Sequence, residues 1–60
     1  SATNTVATLD VSAFPTLAEV EKAHFLEAME LAKGKKALAA KMLGITVKSV
    51  YNKLEKYSKE

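Results

Sequence analysis

Lys48 and Asn52 stand four residues apart, with Tyr51 beside them and Lys56 a further turn along. On a helix, that spacing brings their side chains toward one side. Ammonium and carboxamide groups so arranged suit the edges of base pairs. Lysine donates to guanine O6 or N7, and asparagine pairs with adenine N6 and N7. Val47 can do neither, but its methyl groups suit a thymine methyl. Lysine recurs around this stretch at Lys33, Lys35, Lys36, Lys41, Lys53 and Lys59, and phosphate oxygens are natural partners for such a set. Catalysis finds no comparable set. The chain has one histidine, His24, and no cysteine, which excludes a disulfide, a Cys–His pair and a cysteine metal site. No serine triad, pocketed carboxylate pair or phosphate-cradling glycine loop can be assembled. We expect no enzyme activity, no metal, no cofactor and no small-molecule substrate.

The net charge of +2 conceals a division. Residues 1–32 hold five acids and one lysine, a net −4, and residues 33–60 hold eight lysines and two acids, a net +6. Positive potential is therefore concentrated on the second half. A solvated basic face is the plainer reading of the same lysines. None of the cations is arginine, so the bidentate fork that favours guanine is missing. No apolar run approaches the roughly 20 residues of a membrane span, and no signal-peptide pattern opens the chain. The expected compartment is the cytoplasm.

Three elements must position these groups. Pro15-Thr16-Leu17-Ala18-Glu19 starts a helix, with Thr16 and Glu19 at capping-box spacing. That helix is expected to run to about Lys33 and to end at Gly34. Its apolar residues form two stripes, which implies two partners. Phe25, Met29 and Ala32 face the rest of the chain. Leu17, Val20, His24, Leu26 and Leu31 are assigned to a second subunit. His24 at that contact would make it pH-sensitive; a partly exposed polar residue is the plainer reading. Met29 and Met42 read as core filler. A second helix spans about Lys36–Leu43, and its Ala39 and Ala40 permit close packing. Gly44 suits the left-handed conformation that ends a helix. Ile45 plugs the turn, and Thr46 caps a third helix of about Val47–Tyr57. Val50, Leu54 and Tyr57 fall at i, i+4 and i+7, one apolar face, joined by Leu43 and Ile45. The opposite face presents Lys48, Ser49, Asn52, Lys53 and Lys56. Residues 1–14 read as a linker or flexible arm, though Leu9, Val11 and Phe14 could dock on the helices.

The fold class is therefore all-α. It is a small three-helix domain with a C-terminal helix-turn-helix, dimerising through the first helix. The second helix of the pair is placed to enter a DNA major groove.

From about Thr16 to Tyr57 the chain resembles the Fis-type helix-turn-helix domain. That domain closes the NtrC-class activators of sigma-54-dependent transcription and also occurs in the nucleoid protein Fis. The family reads roughly Leu-x-x-Val/Ile-Glu in its first helix, matched here by Leu17, Val20 and Glu21. Gly34, Ala39-Ala40, Leu43-Gly44-Ile45-Thr46 and Ser49-Val50-Tyr51-Asn52-Lys53-Leu54 follow in the family's order and spacing. The resemblance implies a homodimer built on the first helices and bound to double-stranded DNA. The departures are Val47 where the family usually has arginine, and Asn52 where Arg or Lys is common. Lys35, Ala37 and Leu38 also replace Asn, Ser/Thr and Arg/Lys. Fewer strong guanine contacts and more dependence on DNA shape follow.

We assign base contacts to Val47, Lys48, Tyr51 and Asn52, because a recognition helix reads mainly with its first turns. Phosphate contacts are assigned to Lys35, Lys36, Thr46, Ser49, Lys53 and Lys56. The expected function is a sequence-specific dimeric DNA-binding domain (residues 15–60) of a sigma-54-dependent activator. The alternatives are a Fis-like architectural binder and a helical dimerisation module that has lost DNA binding.

Overall fold

The computed structural model describes residues 11–60. Three helices and no strand occur among the described residues. They are α1 (Leu17–Leu31), α2 (Lys36–Leu43) and α3 (Val47–Ser58), preceded by a single 3-10 turn at Val11–Ala13. No helix among the described residues is long and apolar enough to cross a membrane.

The start of α1 follows from its first residues. The Thr16 hydroxyl accepts from the Glu19 N–H at 3.1 Å, and the Glu19 carboxylate accepts from the Thr16 N–H at 2.8 Å. Two otherwise unpaired donors are satisfied at once, and the acid sits at the positive helix end. The end of α1 differs from expectation. The helix stops at Leu31, with Ala32 as its cap. Lys33, not glycine, is the first left-handed residue, at φ 56°, and Gly34 follows at φ 80°. The N–H of Lys33 reaches the Glu30 carbonyl and that of Gly34 the Met29 carbonyl, both at 3.0 Å. This is the Schellman pattern, with Lys33 where glycine is usual.

The turn between α2 and α3 uses the same device with the usual residue. Gly44 is left-handed at φ 71°. Its N–H reaches the Lys41 carbonyl at 3.3 Å, and the Ile45 N–H reaches the Ala40 carbonyl at 3.0 Å. Ile45 packs against the core cluster, giving the apolar contact that accompanies such caps. Thr46 then caps α3, accepting from the Ser49 N–H at 3.1 Å.

Phe25 of α1, Ala40 of α2 and Val50 of α3 form the centre of the core, one from each helix. Met29, Leu43, Ile45, Leu54 and Tyr57 close around it, half-buried. The rings of Phe25 and Tyr57 meet edge to face, 5.4 Å between centroids. Ala28, Ala32 and Ala39 are also buried; their small side chains let α2 lie close to its neighbours. Met42, expected inside, is 47% exposed. Val11 and Phe14 do not dock: both are well exposed. Leu9 lies outside the described residues.

Candidate nucleic-acid interface

The buried side of α3 is set by Val50, with Leu54 and Tyr57 beside it. At about 100° per residue, the side directly opposite belongs to Lys48, Asn52 and Glu55, flanked by Tyr51 and Lys56. All five are exposed. Val47 borders this face and is also exposed. Lys48, Tyr51 and Asn52, three of the four residues expected to meet bases, thus share one open surface on the first turns of α3; Val47, about 60° from Val50, stands on the side nearer the core. Tyr51 is not a free ring on that surface. The Lys36 ammonium lies 5.6 Å from its centroid, a cation–π contact that joins the start of α2 to α3.

The residues expected to meet phosphates divide into three kinds. Lys35 and Lys36 stand at the N-terminal end of α2, where Lys35 caps the helix without a side-chain hydrogen bond. The hydroxyls of Thr46 and Ser49 are tied to each other, Thr46 Oγ1 donating to Ser49 Oγ at 3.0 Å. Ser49 is half-buried on the flank of α3. Lys56 is exposed, and its ammonium lies 5.9 Å from the Tyr57 ring centroid. Lys53 departs from expectation. Its ammonium is held by the Glu21 carboxylate of α1, so the side chain is drawn back along the flank instead of reaching outward.

That pair is mutual in its effect. The hydrogen bond from Lys53 holds the Glu21 carboxyl below the usual carboxylate range, helped by the charges of Lys53 and Lys56. The same hydrogen bond holds the Lys53 ammonium above the usual lysine range. Two further α1 contacts fix the end of α3. Lys22 donates to Glu60 at 2.9 Å, and its ammonium lies 5.5 Å from the Tyr57 ring centroid. Among the described residues, Lys33, Lys35, Lys36, Lys41, Lys48 and Lys56 carry no ion pair, which leaves most of the positive charge available.

Glu55 is the residue that sequence reasoning missed. It lies on the outer face one turn beyond Tyr51 and Asn52, with its carboxylate 3.5 Å from the Lys59 ammonium. Its position follows from the i, i+4 spacing to Tyr51. A carboxylate in a groove can accept from cytosine N4, and it repels phosphate.

The residues assigned to a second subunit are all exposed, but they do not share one face. Leu17, Val20, His24 and Leu31 follow one another at helical spacings of three, four and seven, and form a single line along α1. Leu17 is 89% exposed and Leu31 65%. The lower end of this line continues onto α2, where Leu31, His24 and Met42 border one crevice. Leu26 lies well round the helix, about 120–180° from the members of that line at 100° per residue, so it does not belong with the other four.

Compared with known families, residues 16–57 match the one described as bacterial regulatory protein, Fis family. No curated protein and no solved structure matches the chain. The matched segment runs from the capping threonine of α1 to the core tyrosine of α3, and it includes α1, α2, both turns and all of α3 but its last residue. The chain belongs to the Fis family of bacterial regulatory proteins, and residues 16–57 are its DNA-binding helix-turn-helix domain.

Proposed function

We infer that this domain binds a specific duplex sequence as a dimer, with α3 in the major groove, for a sigma-54-dependent activator of the NtrC class. One observation carries the reading: Lys48, Tyr51 and Asn52 stand together on the open face of α3, opposite the buried Val50. The base assignments follow from the chemistry. Lys48 donates to guanine, Asn52 pairs with adenine, and the Val47 methyls meet a thymine methyl. Lys35, Lys36 and Lys56 then lie at helix ends where they set register on the phosphates.

The dimer rests on two supports. Leu17, Val20 and Leu31 form an exposed apolar line interrupted by His24, and a chain of this size buries only a modest core alone. Two α3 helices related by a two-fold axis would meet successive major grooves about 34 Å apart. The activator class rests on similarity of sequence; the cytoplasmic location goes with a bacterial regulator whose target is DNA. The domain's work there would be to tether an ATPase at an upstream site.

Selection of sites from random duplexes, followed by affinity measurements across salt, tests the reading. We expect an inverted repeat to be enriched and bound with a steep salt dependence. Steep salt dependence without an enriched sequence would favour the architectural binder, which the all-lysine surface and Val47 at the edge of the reading face support. Affinity indifferent to salt would contradict DNA binding altogether.

A further inference from the structure

Ser49, Lys53 and Lys56 follow one another at i, i+4 and i+7 along one flank of α3, beside the face that carries Lys48 and Asn52. A backbone phosphate approaching that flank would find Lys56 exposed and Lys53 already engaged. The Lys53 ammonium is bound by Glu21, a residue of α1 that contributes nothing to the reading face. Glu21 lies in the field of two lysines of this flank, Lys53 first and Lys56 second. Other charged groups nearby do not relieve it. Lys22, the next residue, is committed to Glu60 and to the Tyr57 ring. His24 borders the same crevice as Glu21 and Lys53, one turn along α1.

The contact is weakly held. Both partners reach solvent, the Glu21 side chain being 55% exposed, and exposed ion pairs contribute little to stability. Removing so exposed a partner frees Lys53 without unfolding the domain. We propose that Glu21 limits the DNA affinity of this domain: in the complex it keeps Lys53 off the phosphate backbone, so that Lys53 engages a phosphate only when the Glu21 charge is removed. The proposal rests on the DNA-binding reading above. Glu21 is a positioning residue in this role, since it acts only through Lys53. Its placement also links α1, the helix assigned to dimerisation, to the number of phosphates that α3 can engage.

The test is Glu21→Gln, which keeps the side chain's size and removes its charge. Glu30→Gln is the control, because Glu30 is an exposed α1 acid and its loss changes the net charge equally. Affinity for a short random-sequence duplex is measured across salt for the intact chain and each variant, with thermal melts of all. Each additional phosphate neutralised steepens the salt slope by about 0.9. We expect Glu21→Gln to be steeper than Glu30→Gln by about one unit and to bind more tightly at low salt. Between 50 and 200 mM salt, one unit corresponds to about a three- to fourfold greater loss of affinity. Adding Lys53→Ala to Glu21→Gln should erase the gain, and Glu21→Asp, which keeps the charge, should stay close to the unmodified chain. Equal slopes for Glu21→Gln and Glu30→Gln would overturn the proposal while leaving DNA binding intact. A shallower slope for Glu21→Gln, with the fold retained, would do the same. An unmodified chain that shows no salt-dependent binding would remove the DNA reading, and this proposal with it.

Discussion

Replacing Gly44 isolates the turn that aims α3. Its φ of 71° lies in the left-handed region, and a Cβ added there meets no atom within 4 Å. A substitution therefore costs backbone strain and no steric clash. For an L-residue that strain is roughly 1–2 kcal/mol. Alanine also restricts the unfolded chain, which returns about 0.4–1 kcal/mol. Gly44→Ala should thus lower stability by about 1 kcal/mol. In a domain of this size that shifts the melting midpoint downward by about 4–8 °C. Gly44→Asn should cost less, because asparagine tolerates the left-handed region. The decisive comparison uses D-alanine at Gly44, which chemical synthesis of so short a chain permits. Its preferred region is the left-handed one, so only the unfolded-state effect remains and the midpoint should rise. Circular dichroism melts of the three variants read the result. If L- and D-alanine shift the midpoint in the same direction, backbone handedness does not govern this turn and the reasoning fails.

Lys33 carries the opposite expectation. It is a non-glycine residue at φ 56°, so Lys33→Gly should relieve strain in excess of glycine's entropic cost and stabilise by about 0.5–1 kcal/mol; a lower melting midpoint would refute it. The Glu21–Lys53 pair predicts a pH dependence. Because the Glu21 pKa is lowered, its share of stability is complete above the ordinary carboxylate range and is lost as pH falls through the lowered value. Because the Lys53 pKa is raised, its share is complete below the ordinary lysine range and is lost as pH rises through the raised value. The melting midpoints of the unmodified chain and Glu21→Gln should therefore differ at neutral pH and converge in acid; a gap independent of pH would contradict the pair. For the dimer, Leu31→Asp should weaken association in sedimentation, whereas Leu26→Asp, on the other side of α1, should leave it nearly unchanged. Equal effects would mean that the apolar line is not the interface.

Local chemistry made most of the fold legible. The capping box of Thr16 and Glu19, the glycine at 44 and the threonine cap at 46 act through bonds to residues three to five positions away. The i, i+4, i+7 spacing of Val50, Leu54 and Tyr57 likewise names the buried side of α3, and by subtraction the open side. What was not legible depends on residues distant in the chain or on the direction of a whole face. Lys53 and Glu21 are 32 residues apart, and nothing in their local spacing pairs them. Leu26 is an exception of another kind: its spacing from Leu31, read at 100° per residue, already puts the two on different sides of the helix. Lys33 takes the left-handed position because the connection from Ala32 to Lys35 closes there, with the Lys35 N–H returning to the Ala32 carbonyl at 3.0 Å. From sequence alone, the glycine at the next position is the natural choice for that conformation.

The central claim is that the open face of α3 reads bases, and Asn52 tests it most directly. Its carboxamide is exposed on that face, one turn from Lys48, and a bidentate pair with adenine discriminates by about 1–3 kcal/mol. The measurement is the affinity of the unmodified chain and of Asn52→Ala for a selected duplex and for random DNA at one salt concentration. We predict a loss of about 1–3 kcal/mol on the selected duplex, confined to one base position, with random-site binding nearly unchanged. An equal loss on both DNAs, or none on either, would show that Asn52 reads no base and would contradict the account.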